Sequence, residues 1–304
     1  MIKIEKIIIV DFGSQVTKLI ARRIREFGVY SEIYTLKNFK KIKNFDKIKG
    51  IILSGGPSSV TQKNFPNISN DIFLKEIPIL GICYGLQLIV HNLGGKIKSG
   101  NQKREFGRTV LKKNKTSLLT KNIYVKKQTH VWMSHQDSVH KMPKGFVKIA
   151  STKISPLTII ENTKRKIFGI QFHPEVTHTI KGNILLKNFV FLICGSKKTW
   201  RINNEKNRII KEIREKVKND KVICALSGGV DSSVTALLIN KAIKKKLICI
   251  MVDTGLMRKD EFKYTYSIFK NKYHMNVKLI NASNLFFKKL LSIPTQIDVV
   301  SQWI

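Results

Sequence analysis

Short, unbroken apolar runs, each ending at a glycine- or serine-rich bend and giving way to a helical repeat, limit this chain more than any other feature. Residues 6–11 (Lys-Ile-Ile-Ile-Val-Asp) lead into the turn Asp11-Phe12-Gly13-Ser14. Residues 16–27 follow, where Leu19, Ile20, Ile24 and Phe27 share one helical stripe. Gly28 ends that pattern, and residues 29–34, 50–53 and 77–82 read as further strands, the last feeding a cysteine-bearing turn and a helix through Leu93. A strand that is apolar at every position offers no face to water, so the fold class is α/β. Between residues 96 and 171 the runs become shorter and more strand-like. The rhythm then restarts with a charged helix over residues 203–218, a strand at 221–226, a helix from Asp231, and strands at 247–253 and 277–280. The expected organisation is a domain over residues 1–194, a linker over 195–202 and a second domain over 203–304. Each would hold a mainly parallel sheet covered by helices.

The length of 304 residues accommodates two cores, and 42% hydrophobic with 25% charged residues is the composition of a globular protein. No run approaches the roughly 18 apolar residues of a bilayer span. The first residues, Met-Ile-Lys-Ile-Glu-Lys, lead straight into a strand, so a cytoplasmic location without a membrane partner is expected. A net charge of +36 invites a nucleic-acid partner. The lysines, however, are spread along the chain among many Ile and Asn residues, as AT-rich coding would produce. Lys244-Lys245-Lys246 and residues 37–49 read as solvated faces, and no nucleic-acid partner is expected. The four cysteines, at 83, 194, 224 and 249, form no CxxC pair and no zinc spacing. Cys194, Cys224 and Cys249 lie in apolar or helical runs and read as small core residues. Only Cys83 has a turn around it.

That turn, Gly81-Ile82-Cys83-Tyr84-Gly85-Leu86-Gln87, brackets a thiol with two glycines between a strand and a helix. A helix N-terminus favours the thiolate and offers backbone N–H groups to an oxyanion. Gln171-Phe172-His173-Pro174-Glu175 supplies an imidazole at a strand end, and a carboxylate two residues on that can orient it. A lone histidine is more often structural; its company with the cysteine turn argues otherwise. His135 is the weaker candidate base, because no carboxylate follows it at a strand end. Farther on, Ser227, Gly228, Gly229, Val230, Asp231, Ser232 and Ser233 form a loop before a helix whose N–H groups and hydroxyls can cradle an anion. It is not a Walker A loop, since Gly-Lys-Ser/Thr is absent. A carboxylate repels phosphate unless a cation lies between them, so Asp231 points to Mg²⁺ arriving with ATP. The plain reading of Ser-Gly-Gly is a helix-capping turn.

The cysteine string together with His173-Pro174-Glu175 resembles the class I (triad) glutamine amidotransferases, and Ser54-Gly55-Gly56-Pro57 resembles that family's oxyanion loop. The resemblance implies Cys83 as nucleophile, His173 as proton shuttle and Glu175 as its orienting group. It implies the N–H groups of Gly56 and Tyr84 as oxyanion donors, and Gln87 and Asp137 as the glutamine seat. The second loop resembles the PP-loop of N-type ATP pyrophosphatases, with an incomplete adenine-nucleotide α-hydrolase-like fold. Val252 is then an adenine contact in Met251-Val252-Asp253-Thr254-Gly255-Leu256, where Thr254 replaces the usual Asn. The two in this order resemble the glutamine-hydrolysing GMP synthases. Arg104-Glu105-Phe106-Gly107 and Trp132-Met133-Ser134-His135 also match that family.

The resemblance implies glutamine, ATP and xanthosine monophosphate (XMP) as substrates, Mg²⁺ with ATP, no tightly bound organic cofactor, and GMP as product. Family members are homodimers that continue past this chain's last residues with an XMP-binding dimerisation domain. After Leu291 the sequence departs from the pattern. A shortened chain is therefore expected to hydrolyse glutamine weakly or not at all and to make no GMP alone. The alternatives are a non-catalytic glutamine- or ATP-binding regulator, a glutaminase subunit working with a separate chain, or another PP-loop enzyme.

Overall fold

The computed structural model describes residues 5–99 and 104–291. The departure from family pattern after Leu291 lies outside the described residues. Two compact units are present, residues 1–200 and residues 201–304.

The first unit runs β1 (Lys6–Asp11), α1 (Thr17–Glu26), β2 (Ser31–Thr35), α2 (Leu36–Phe39), β3 (Ile48–Leu53), β4 (Ile79–Ile82) and α3 (Tyr84–Asn92). It continues with β5 (Lys96–Lys98), β6 (Glu105–Lys113), β7 (Gln128–His135), β8 (Ser138–Lys141), β9 (Val147–Ser151), β10 (Ile159–Asn162), β11 (Ile167–Ile170) and α4 (Gly182–Lys187). Nine strands form one sheet in the order β2-β1-β3-β4-β11-β10-β9-β6-β7. The β2-β1-β3-β4-β11 portion is parallel. From β11 outward through β10, β9, β6 and β7 the same sheet continues antiparallel. Of the short runs between residues 96 and 171, β6, β7, β9 and β10 thus extend the parallel sheet, while β5 and β8 pair with each other in a separate two-stranded antiparallel sheet.

The apolar continuity of β1 has a direct structural cause. Ile7 and Ile9 enter the core on one face, while Ile8 and Val10 enter a separate core on the other, and all four are fully buried. At roughly 1.5–3 kcal/mol for each side chain so buried, one strand contributes to both cores at once. On α1 the buried stripe is Thr17, Ile20, Ala21 and Ile24, with Leu19 and Phe27 half-buried at its edges. Thr17 is buried with its hydroxyl donating to the Asp11 carboxylate at 2.8 Å, a contact that a hydrophobicity pattern alone does not reveal.

The second unit contains α5 (Ile202–Val217), β12 (Val222–Ala225), α6 (Val230–Ile243), β13 (Leu247–Asp253), α7 (Glu261–Ser267), β14 (Val277–Asn281) and α8 (Ser283–Leu291). Its strands form a parallel sheet in the order β12-β13-β14. Burial alternates here: Cys224, Cys249 and Met251 lie in the core, whereas Ile223 is 68% exposed. An apolar run states what a strand can bury, not what reaches it.

Candidate active site

In a parallel sheet all strands deliver their following loops to one edge, so neighbours in the sheet place their loops side by side. The order β1-β3-β4-β11 therefore gathers the segments after Asp11, Leu53, Ile82 and Ile170. Cys83 occupies the bend between β4 and α3 at φ 52°, ψ −105°, a left-handed conformation unusual for a non-glycine residue. Its N–H donates to the Ile170 carbonyl at 2.8 Å, tying the bend to β11. The bend closes only because its flanks lack side chains. A Cβ on Gly81 would lie 2.5 Å from the Gly85 carbonyl group, and one on Gly85 would lie 2.2 Å from the Leu53 carbonyl oxygen.

His173 follows β11 and its N–H donates to the Trp132 carbonyl of β7 at 3.1 Å. Its Nδ1 lies 2.8 Å from Glu175 Oε1, with the carboxylate side chain fully buried and the imidazole 11% exposed. Burial alone would push the His173 imidazole down. Hydrogen bonds to Cys83 and Glu175, and the charges on both, outweigh that and push it up to about 10. Cys83, His173 and Glu175 are thus in one connected set. An imidazolium held this way is able to stabilise a thiolate and to pass its proton onward.

Gly55 sits against both partners: a Cβ there would meet His173 Cε1 at 3.1 Å and Cys83 Cβ at 3.8 Å. The loop after β3 is fixed by Ser54, whose hydroxyl accepts from Phe12 N–H at 3.1 Å and donates to the Gly55 carbonyl at 2.8 Å. Gly56 packs so tightly on Phe12 that a Cβ would approach its carbonyl oxygen to 2.6 Å. Tyr84 opens α3, where N–H groups have no intrahelical acceptor, and the Gly85 N–H is taken by the Ser54 carbonyl at 3.1 Å. Gln87 and Asp137 are joined: Gln87 Nε2 donates to the Asp137 carbonyl at 2.9 Å, and Ser59 donates its hydroxyl to the Asp137 carboxylate.

Two residues of the strings singled out in the sequence, given no role there, also neighbour the sulfur. The Cys83 thiol points at the Ser134 carbonyl at 3.6 Å, and Gln171 Nε2 lies 3.7 Å from the sulfur. His135, the weaker candidate base because no carboxylate follows it at a strand end, meets one from another strand: Glu105 Oε2 lies 3.5 Å from its Nε2. Register across β6 and β7 is the signal that would have found it. Cys194, Cys224 and Cys249 are buried, and burial pushes all three thiols up, Cys249 to about 11.

In the second unit, Ser227 to Ser233 and Thr254 to Leu256 follow the adjacent parallel strands β12 and β13 at the same edge, with Asp253 the last residue of β13. Gly228 takes φ +85°, and Gly229 caps α6. Ser227 and Ser232 hydroxyls lie 2.9 Å apart, and the Ser232 hydroxyl also donates to the Gly229 carbonyl at 3.1 Å. The loop is exposed, as is Asp231 in the first turn of α6. Val252, near the end of β13, is 43% exposed. Among the described residues, no cluster of three or more His, Cys, Asp or Glu could hold a metal unaided. One carboxylate with hydroxyls suits a hard cation that arrives already coordinated by phosphates.

Residues 8–193 match the family model for glutamine amidotransferase class-I, and residues 202–295 match that for NAD synthase. The chain is 48% identical over 288 residues to a GMP synthase (glutamine-hydrolyzing) of Clostridium botulinum, a match covering 94% of this chain and 56% of that protein. A GMP synthase of Clostridium kluyveri is likewise 48% identical over 291 residues, covering 95% of this chain and 56% of its own length. The chain thus spans a little over half the length of these curated relatives. Among solved structures, a protein from Thermoplasma acidophilum described as one subunit of a GMP synthase superposes with a TM-score of 0.54 at 28% identity, covering 67% of this chain and 98% of that one. No helix among the described residues is long and apolar enough to cross a membrane. With its cysteine bend beside a buried His-Glu pair, and a family match over more than half its residues, the chain belongs to the class-I glutamine amidotransferase family.

Proposed function

We propose that the first unit releases ammonia from glutamine, and that Cys83, His173 and Glu175 carry the reaction. The Cys83 thiolate attacks the side-chain amide carbon, and the resulting oxyanion is met by the N–H groups of Gly56 and Tyr84. His173 gives its proton to the departing nitrogen, so ammonia leaves and a glutamyl thioester remains. Water, deprotonated by the same imidazole, then displaces the sulfur and frees glutamate. Glu175 keeps the ring in one orientation, while Gln87 and Asp137 seat the substrate. The observation that carries this reading is the 2.8 Å His173–Glu175 contact, made against a cysteine held at positive φ.

The domain boundaries at 1–194, 195–202 and 203–304 belong to the same proposal. So does the assignment of the second unit to ATP. Ser227, Gly228, Gly229, Val230, Asp231, Ser232 and Ser233 would take the phosphates and Val252 the adenine. Mg²⁺ arriving with ATP would neutralise the repulsion between Asp231 and the phosphates. The similarity to glutamine-hydrolysing GMP synthases supports a larger reaction. ATP adenylylates the C2 oxygen of XMP with loss of pyrophosphate, and ammonia then displaces AMP to give GMP. On this reading the whole protein acts in the cytoplasm on glutamine, ATP and XMP, and the homodimer belongs to the full-length family members.

The test is ammonia release from glutamine by the 304-residue chain and by Cys83→Ala. Wild-type turnover abolished by the substitution, with glutamine still bound, supports the reading. Turnover that survives in Cys83→Ala sinks it.

A further inference from the structure

A second buried imidazole–carboxylate contact lies outside the triad. In the antiparallel register of β6 and β7, Glu105 stands directly opposite His135, so the pair closes the end of both strands. Nε2 of His135 is 3.5 Å from Glu105 Oε2, with the side chains 1% and 5% exposed. The same carboxylate oxygen accepts the Thr152 hydroxyl at 3.0 Å, and the Ser155 hydroxyl is 3.5 Å from His135 Nε2. Ser155 N–H in turn donates to Thr152 Oγ1 at 2.9 Å. Burial would raise the Glu105 carboxyl, but hydrogen bonds from His135, Ser155 and Thr152 hold it below its usual range. His135 Nδ1 is left buried without a partner among the described residues. Such a network is costly to bury, and an apolar pair would fill the same volume more cheaply.

His135 lies between two residues that contact the candidate site. One residue before it, the Ser134 carbonyl faces the Cys83 thiol at 3.6 Å. Two residues after it, Asp137 accepts from Gln87 through its carbonyl and from Ser59 through its carboxylate. β7 ends at His135 and β8 begins at Ser138, so no sheet ladder fixes the residues between. The last rigid point before that gap is the cross-strand pair.

We propose that Glu105 and His135 are positioning residues. By locking the end of β7, they set the Ser134 carbonyl against the nucleophile and the Asp137 backbone against Gln87. The glutamine-seating half of this inference rests on the glutaminase reading above; the sulfur-facing half does not.

Glu105→Gln removes the charge at nearly constant shape, and Thr152→Val removes only a hydroxyl that steadies Glu105. Both are made in the whole chain and read in two ways. One is kcat and KM for glutamine, and the other is the alkylation rate of Cys83 by iodoacetamide, with and without glutamine, followed by peptide mass. Displacement of reacting groups by a fraction of an ångström lowers kcat/KM for Glu105→Gln by roughly ten- to a hundredfold, mainly through KM. The alkylation rate shifts by about threefold or more as the thiol loses its fixed neighbour. Thr152→Val moves both in the same direction by less. Wild-type values of both in the two variants overturn the proposal, and if Glu105→Gln does not fold, Thr152→Val decides alone. Should wild type neither turn over glutamine nor be protected by it, the glutaminase reading fails, while the alkylation rates of the variants still decide whether the pair positions the sulfur.

Discussion

Replacing Gly85 with alanine adds one methyl group at the tightest point of the cysteine bend. The added Cβ would sit 2.2 Å from the Leu53 carbonyl oxygen and 2.8 Å from both the Leu53 carbonyl carbon and Leu53 Cβ. Carbon–oxygen contacts in proteins close to about 3.3 Å, so roughly 1.1 Å must be found. Leu53 cannot supply it: it is fully buried at the end of β3, between β1 and β4. The movement falls instead on the start of α3, and it disturbs the 3.1 Å bond from Gly85 N–H to the Ser54 carbonyl. Overpacking of this kind costs about 1–3 kcal/mol, which in a unit of this size lowers Tm by roughly 2–4 °C per kcal/mol. A shift of that size beside Cys83 also lowers turnover by about a hundredfold. Differential scanning fluorimetry and an ammonia-release assay on Gly85→Ala measure both. A variant with wild-type Tm and wild-type turnover would refute the claim that the bend needs bare backbone there.

Two further substitutions test the electrostatics and the second loop. Glu175→Gln keeps the shape at His173 but removes the charge, and is expected to lower kcat by roughly 10²–10⁴. Its stability cost has a defined pH sign. An imidazole raised from 6.5 to about 10 stabilises the fold fully below 6.5, and that contribution fades as pH rises towards 10. The Tm deficit of Glu175→Gln is therefore largest near pH 6 and small near pH 9.5, and a deficit that grows with pH contradicts the assignment. Gly228→Ala forces a φ of +85° on an L-residue and brings a Cβ to 3.0 Å from Thr265 Cγ2. About 1–2 kcal/mol of strain follows at the proposed phosphate loop. Weaker ATP binding by calorimetry is expected, and unchanged affinity argues against that loop as the phosphate site.

Local chemistry made much of this chain legible from its residues. The bounds of β1, the breaks at glycine, the restart of the α/β rhythm near residue 202 and the bend at Cys83 all follow from interactions within a few residues. His173 and Glu175 are two residues apart, so their pairing could be read directly. His135 illustrates the opposite case, since its carboxylate lies thirty positions upstream and meets it only through the register of β6 and β7. Gly85 was recognisable as a turn residue, but the carbonyl that forbids a side chain there belongs to Leu53 on another strand.

By itself the sequence determined most of the strands of the parallel sheets, where the backbone must bend and which side chains are candidates for nucleophile, base and orienting carboxylate. Only the tertiary structure decided that β11 lies beside β4, and that alone brings His173 to a cysteine ninety residues earlier. The reason is physical: periodicity and turn propensity act over one or two turns of chain. Strand order is settled by which apolar faces bury one another, and those faces belong to segments that no local pattern relates.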